Sequence, residues 1–344
     1  MKIFLVGLLA LMVVACGSSE QSNSEKKEVN VYSHRHYEAD KKLFDKFTEE
    51  TGIKVNVIKA GADELIMRLK SEGKNSPADL LITVDSGRLE RAKSEGILQP
   101  IPKETILENV PERYRDTEFY WTAISSRARV IVYDESQLEG LEPPKNYEDL
   151  ADKKYHGKIV MRSSENIYNQ SLLASMILHV GKDSAQQWAE GVVANLAANP
   201  KGGDRDQVKY IASGEGAISI VNDYYLSQMM NSTNEAEKEA VSGIQVVFPN
   251  QGNRGTHVNI SGVGLAKYAK NMNEALQLIE FLTNEYAQEV LVVENHESAV
   301  NPKVTLRNRV FANTENIKLD TIHTGSFGAI NRDAVMIFDK AGWK

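Results

Sequence analysis

VNVYSHRHYEADKKLFDKFTEETGIKVNVI, residues 29–58, decides the fold class. Val29–Ser33 alternates apolar and polar residues as a half-buried strand does. Ala39, Leu43, Phe44 and Phe47 follow at helical spacing, and Gly52 stops them. Lys54–Ile58 then alternates again. The pattern repeats at once. Leu65, Ile66 and Leu69 mark a helix ending near Gly73, Ala78–Val84 is an apolar strand, and a helix holding Leu89 and Ala92 ends at Gly96. Strands separated by helices predict an α/β fold with a largely parallel sheet covered by helices.

Further along, Arg129–Tyr133 and Lys158–Met161 read as strands. A long helical stretch from about Gln170 carries Leu173, Ile177, Val180, Trp188, Val192 and Leu196. Val208, Ile211 and Ala212 suggest another helix before the strand Ala217–Val221. Ile244–Phe248 and Ser261–Lys267 are strand-like, and Asn273–Glu294 is one amphipathic helix through Leu278, Ile279, Leu282, Tyr286 and Val290. The restart of the α/β pattern predicts two lobes. The expected bounds are residues 29–125 with 245–295 for the first lobe and 126–244 with 296–344 for the second. A cleft between lobes, outside the carboxyl ends of strands, is where a ligand is expected.

The chain has 344 residues, enough for two globular units, and a formal net charge of −7, which argues against nucleic-acid binding. Its start differs from the rest. The apolar run Ile3–Val14 is shorter than the ~20 residues needed to span a bilayer and fits an export signal. Val13-Val14-Ala15-Cys16-Gly17 resembles a bacterial lipobox, so residues 1–15 are expected to be a signal peptide and Cys16, the only cysteine, a lipidated anchor. Residues 16–28 then read as a small, polar tether. The protein is expected outside the cytoplasmic membrane, in the periplasm or on the outer face.

Three predicted strand ends carry one kind of chemistry. His34-Arg35-His36-Tyr37 follows Val29–Ser33, Tyr168 follows Lys158–Met161, and Tyr224-Tyr225 follows Ala217–Val221. Neutral phenols stack on or hydrogen-bond organic solutes. Phenolates are hard oxygen ligands, but free tyrosine ionises only near pH ~10, so a highly charged cation must help. Ferric iron fits such a donor set, with a histidine nitrogen to complete it. Calcium or magnesium would call for clustered carboxylates, and zinc for cysteine or several histidines. Adjacent residues point apart on a strand, so Tyr224 and Tyr225 are expected at the turn where the strand ends.

YSHRHYEAD, RSSENIYNQSLLASM and GEGAISIVNDYYL resemble the ferric-iron-binding proteins of bacterial ABC transporters, including the cyanobacterial type. The likeness continues through Gly264–Gln288. It implies a type II periplasmic binding-protein fold, Fe3+ in the cleft and a membrane permease as partner. Carried over by position, it implies Tyr37, Tyr168, Tyr224 and Tyr225 as tyrosine ligands and His36 as the histidine ligand. Tyr37 is expected from the first lobe and the other three from the second. Asp63 and Glu64 lie near the position of a carboxylate ligand in one branch, but are not assigned. Arg127 resembles an arginine near the iron. Four phenolates outweigh Fe3+ by one negative charge, which a guanidinium can balance. Arg129, two residues on, shares the same strand face and competes for this role, with Arg127 preferred.

The alternative is a binding protein of the same fold for an organic solute or oxyanion, such as a polyamine or phosphate. A hydrolase is not expected. H-E-x-x-H and G-x-S-x-G are both missing, and His296–Val300 (HESAV) lacks the second histidine. A monomer that captures its ligand without catalysis is the expectation.

Overall fold

The computed structural model describes residues 27–305 and 316–344. The proposed signal peptide, Cys16 and most of the tether lie outside them. No helix among the described residues is long and apolar enough to cross a membrane.

The opening segment folds as its pattern predicts. β1 (Glu28–Ser33), α1 (Glu38–Thr51), β2 (Lys54–Lys59), α2 (Ala62–Glu72), β3 (Leu80–Val84) and α3 (Ser86–Ser94) alternate. β1 pairs in parallel with both β2 and β3. Gly52 closes α1 in the left-handed region (φ 72°), where glycine has no Cβ penalty. Val29 and Val31 of β1 meet Leu43 and Phe47 of α1 on one face, while Tyr32 and Leu81 meet Leu65, Ile66 and Leu69 of α2 on the other.

Beyond β3 the sheet is antiparallel, which corrects the expectation of a largely parallel one. β5 (Trp121–Tyr133) and β8 (Val258–Ala266) pair antiparallel with each other, β8 runs antiparallel to β3, and β6 (Ile218–Asn222) runs antiparallel to β5. The order is β2-β1-β3-β8-β5-β6, with the short β4 (Leu98–Gln99) on β8 and β7 (Gln245–Val247) on β5. An apolar run marks a strand but not its direction, because reversal leaves the side-chain alternation unchanged.

β5 joins the two lobes. Its first part, Trp121–Ala128, pairs with β8, and Arg129–Tyr133 pairs with β6 and β7. The strand is far longer than Arg129–Tyr133 alone suggested, because Ser125, Ser126 and Arg127 are buried polar residues inside it. β7 sits beside Ile131–Tyr133 of β5.

Three other readings change. Lys158–Met161 is not a strand; Ile159 makes only single bridges to Leu196 and Ile218. The long helical stretch is two helices, α4 (Ile167–Val180) and α5 (Lys182–Ala194), parted at Gly181 with φ 82°. Asn273–Glu294 is likewise α9 (Met272–Thr283) and α10 (Glu285–Glu294). Asn284 starts α10 by accepting from the Ala287 amide at 2.9 Å. Both halves of each stretch bury apolar residues in the same core, so the periodicity ran on through the break.

The second lobe also holds α6 (Asp204–Ala212), α7 (Asp223–Met230) and α8 (Glu235–Ser242). α11 (Ser326–Ala341) packs Phe327, Ala334, Ile337 and Phe338 into the core of that lobe. Its start meets the first lobe: a Cβ on Gly328 would lie 2.4 Å from Cβ of Glu90 on α3.

Candidate functional site

Each proposed ligand sits where a helix begins. Tyr37 is the N-cap of α1, on extended backbone just past β1. Tyr168 lies in the first turn of α4, where Asn166 accepts from its amide at 3.1 Å. Tyr224 and Tyr225 lie in the first turn of α7, not in a turn after β6 as the sequence suggested. Asp223 fixes that helix start, its Oδ1 accepting from the amides of Ala128 (3.1 Å) and Tyr224 (2.8 Å). At a helix end no preceding turn blocks either ring. The two rings pack 4.1 Å apart between centroids, on the same side of the helix start.

The lobes meet through these phenols. The hydroxyl of Tyr37 lies 3.0 Å from that of Tyr224, across the cleft. His36 is exposed and stacks on Tyr37 with ring centroids 5.4 Å apart. His36, Tyr37 and Tyr225 line one cavity of about 680 Å³, together with Arg205, Gln228 and His296. Tyr168 and Tyr224 lie buried. A charge on Tyr37 would raise the Tyr168 phenol, and a charge on Tyr37 or Tyr168 would raise the Tyr224 and Tyr225 phenols. His36, Tyr37, Tyr168, Tyr224 and Tyr225 are therefore brought to one cleft.

The electrostatics oppose ionisation in the empty protein. Burial pushes Tyr168 up to about 12, against a pull down from Arg127. Tyr224 and Tyr225 are likewise raised well above the ordinary tyrosine value, first by burial and then by their neighbouring phenols. These groups stay neutral at physiological pH unless a cation displaces their protons. No cluster of three or more His, Cys, Asp or Glu set to hold a metal occurs among the described residues.

Arg127 and Arg129 both face the site. The Arg127 guanidinium carbon lies 5.5 Å from the Tyr224 ring centroid and that of Arg129 5.8 Å from Tyr168. Their charges are not equivalent. Arg127 is bound by the buried carboxylate of Glu297, which also accepts from Arg35. Arg129 and Arg162 share one carboxylate, Asp204, at 2.9 Å each. The Arg127 charge is paired with Glu297, whereas the Arg129–Arg162–Asp204 group holds two guanidinia against one carboxylate.

Other residues complete the setting. His34 is half-buried, its Nδ1 3.4 Å from the Ala60 carbonyl. Asp63 is tied to Arg91 at 2.7 Å and lines a different cavity. Arg35 and Glu297 escaped the sequence reading. Arg35 stood inside the quoted HRHY box, but its partner lies 262 positions away. Ser171, one turn after Tyr168, donates to the buried Asp85 of the first lobe at 2.7 Å, a second tie across the cleft.

The chain is 43% identical to iron uptake protein A1 of Synechocystis over 99% of its own length and 96% of that protein. It is 27% identical to the major ferric iron-binding protein of Neisseria meningitidis, over 80% of this chain and 82% of the relative. Among solved structures, a Trichodesmium protein, IdiA (FutA), in complex with iron and citrate ligands superposes with a TM-score of 0.87. It has 43% identity, over 92% of this chain and all of that one. The ferric binding protein of Campylobacter jejuni gives a TM-score of 0.86 at 41% identity, with the same coverage. The profile of bacterial extracellular solute-binding proteins matches residues 75–321, and the chain belongs to that family.

Proposed function

We propose that this protein is the extracytoplasmic receptor of an iron(III) ABC transporter. Fe3+ is its cargo, taken by Tyr37, Tyr168, Tyr224 and Tyr225 as phenolates and by His36 through an imidazole nitrogen. The carrying observation is the 3.0 Å approach of the Tyr37 and Tyr224 hydroxyls from opposite lobes, with Tyr225 packed on Tyr224 and His36 on Tyr37. Relatives named for iron uptake and ferric-iron binding support the identity of the cargo.

Entry of Fe3+ displaces phenol protons, and phenolates from both lobes then hold the cleft shut for docking on a membrane permease. Four phenolates on Fe3+ leave one negative charge. Arg129 and Arg162 against Asp204 leave one positive charge beside Tyr168. An oxyanion cargo has less support, because Arg127 and Arg205 each already hold a carboxylate and phenols line the cleft. The proposed lobes are residues 29–125 with 245–295 and residues 126–244 with 296–344, crossing over within β5, before β7 and after α10. Capture without catalysis, a monomeric state and anchoring through a lipid on Cys16 belong to the same proposal.

The test is a titration of apo protein with ferric citrate. Growth of a visible phenolate-to-iron absorption band is expected, and a protein that stays colourless would falsify the ligand set. Labelling with a radioactive fatty acid in a bacterial host, against Cys16→Ala, tests the anchor; label retained by the variant would exclude Cys16.

A further inference from the structure

A buried group of four charges lies beneath two of the phenols. Glu297 is fully buried. Its Oε1 accepts from Arg35 Nη1 at 2.9 Å and from Arg127 Nη2. Its Oε2 accepts from Arg35 Nη2 at 2.9 Å and from Asn295 Nδ2 at 2.7 Å. Arg35 is paired on its other side with Asp40 at 2.8 Å. The guanidinium carbon of Arg35 lies 4.8 Å from the Tyr37 ring centroid, and that of Arg127 5.5 Å from the Tyr224 centroid. Burial opposes the charge on Glu297, but Arg35 and Arg127 overcome it and hold the carboxyl well below its ordinary range. The carboxylate is also fixed in place. His296 before it has left-handed backbone (φ 61°), and Ser298 after it exchanges two backbone hydrogen bonds with Ser126 of β5, at 2.8 Å each.

This arrangement works against tight holding of phenolates. Arg35 with Asp40 is already a neutral pair. Adding Arg127 alone would place an uncancelled positive charge under Tyr224 and favour its phenolate. Glu297 removes that charge, at the desolvation cost of a buried ion pair. What the pair adds to the site is a field kept near zero.

We propose that Glu297 sets the oxidation-state preference of the bound iron. The inference rests on the tyrosinate ligand set proposed above. Four phenolates give a singly negative complex with Fe3+ and a doubly negative one with Fe2+. Extra positive charge nearby stabilises the second more than the first. By cancelling Arg127, Glu297 withholds that charge and keeps the site ferric. It touches no metal in this scheme and acts through the guanidinium, as a positioning and charge-setting residue.

The experiment is a redox titration of iron-loaded protein, with Fe3+ supplied as citrate, read as the ratio of Fe3+ to Fe2+ affinity. Glu297→Gln is expected to lower this ratio by about tenfold or more while the visible band remains. Glu297→Asp, which keeps the charge, stays near the wild-type ratio. Should Glu297→Gln fail to fold, Arg127→Gln and the double variant Arg127→Gln/Glu297→Gln read the same effect, the double variant having the lower ratio. An unchanged ratio in whichever comparison folds overturns the proposal. A wild-type protein that never colours with ferric iron would instead overturn the ligand set, so the two failures are separate.

Discussion

Tyr225, a proposed ligand, faces the open cavity and packs on the buried ring of Tyr224. Replacing it with phenylalanine keeps the ring packing and removes one oxygen donor. Tyr225→Phe should therefore lower ferric affinity more than about tenfold with little change in thermal stability; equal affinity in a citrate competition assay would strike it from the ligand set. The neighbouring phenols make a second prediction. Tyr168 is raised to about 12, above the free value near 10, so the folded state keeps its proton longer than the unfolded state. Its contribution to stability is complete below pH 10 and is lost as pH rises through 12. Apo protein should lose stability across that window, and Tyr168→Phe should lose less; a denaturation series at rising pH decides it. The tyrosines were legible because each follows an apolar run that ends at a recognisable place. Arg35 and Glu297 were not, since an ion pair leaves no period in the sequence and its members sit 262 positions apart.

Helix starts, not strand ends, deliver the phenols. α4 and α7 each offer a first turn to the cleft, and Asn166 and Asp223 hold those turns with side-chain hydrogen bonds. The sequence located the strand before α7 and the tyrosines after it, but a helix beginning immediately at Asp223 carries too few periodic residues to be read. Strand existence was legible for β1, β2, β3 and β6, where apolar and β-branched residues crowd together. Strand direction was not, and neither was the polar middle of β5, where Ser125, Ser126 and Arg127 are buried because partners await them from Arg35 just after β1, from Ser261 of β8 and from the segment after α10. At this scale the close approach of α11 to α3 gives a prediction. A methyl at Gly328 would collide with Cβ of Glu90, which is not the movable end of a side chain. Gly328→Ala should cost about 1–3 kcal/mol, read as a lower melting temperature of apo protein. An unchanged melting temperature would mean that α11 yields freely along α3.

The whole molecule carries an acid weakness at one buried histidine, whose carbonyl accepts from the Arg129 amide at 2.9 Å. His257 is buried against Phe327, with ring centroids 5.0 Å apart. Burial lowers it to about 3; Asp320 pulls it up, and Arg129, Arg254 and His179 push it down. The unfolded chain takes up this proton near pH ~6.5 and the folded chain only near 3. The folded state therefore loses stability as pH falls from 6.5 towards 3, and above 6.5 the group contributes its full share. His257→Gln should flatten the dependence of melting temperature on pH in that window; a slope as steep as wild type would assign the acid sensitivity elsewhere.

β5 passes from one lobe to the other without a break, and Arg127 and Arg129 stand at the residues where its partner changes from β8 to β6. If the cleft opens about that place, the strand acts as a fulcrum, and points on a fulcrum travel least. Tyr37 would swing away with one arm and Tyr225 with the other, while both guanidinia stayed nearly still. Opening would then strip the cargo of its ligands one arm at a time without dismantling the counter-charge, leaving an empty receptor already set for the next ion.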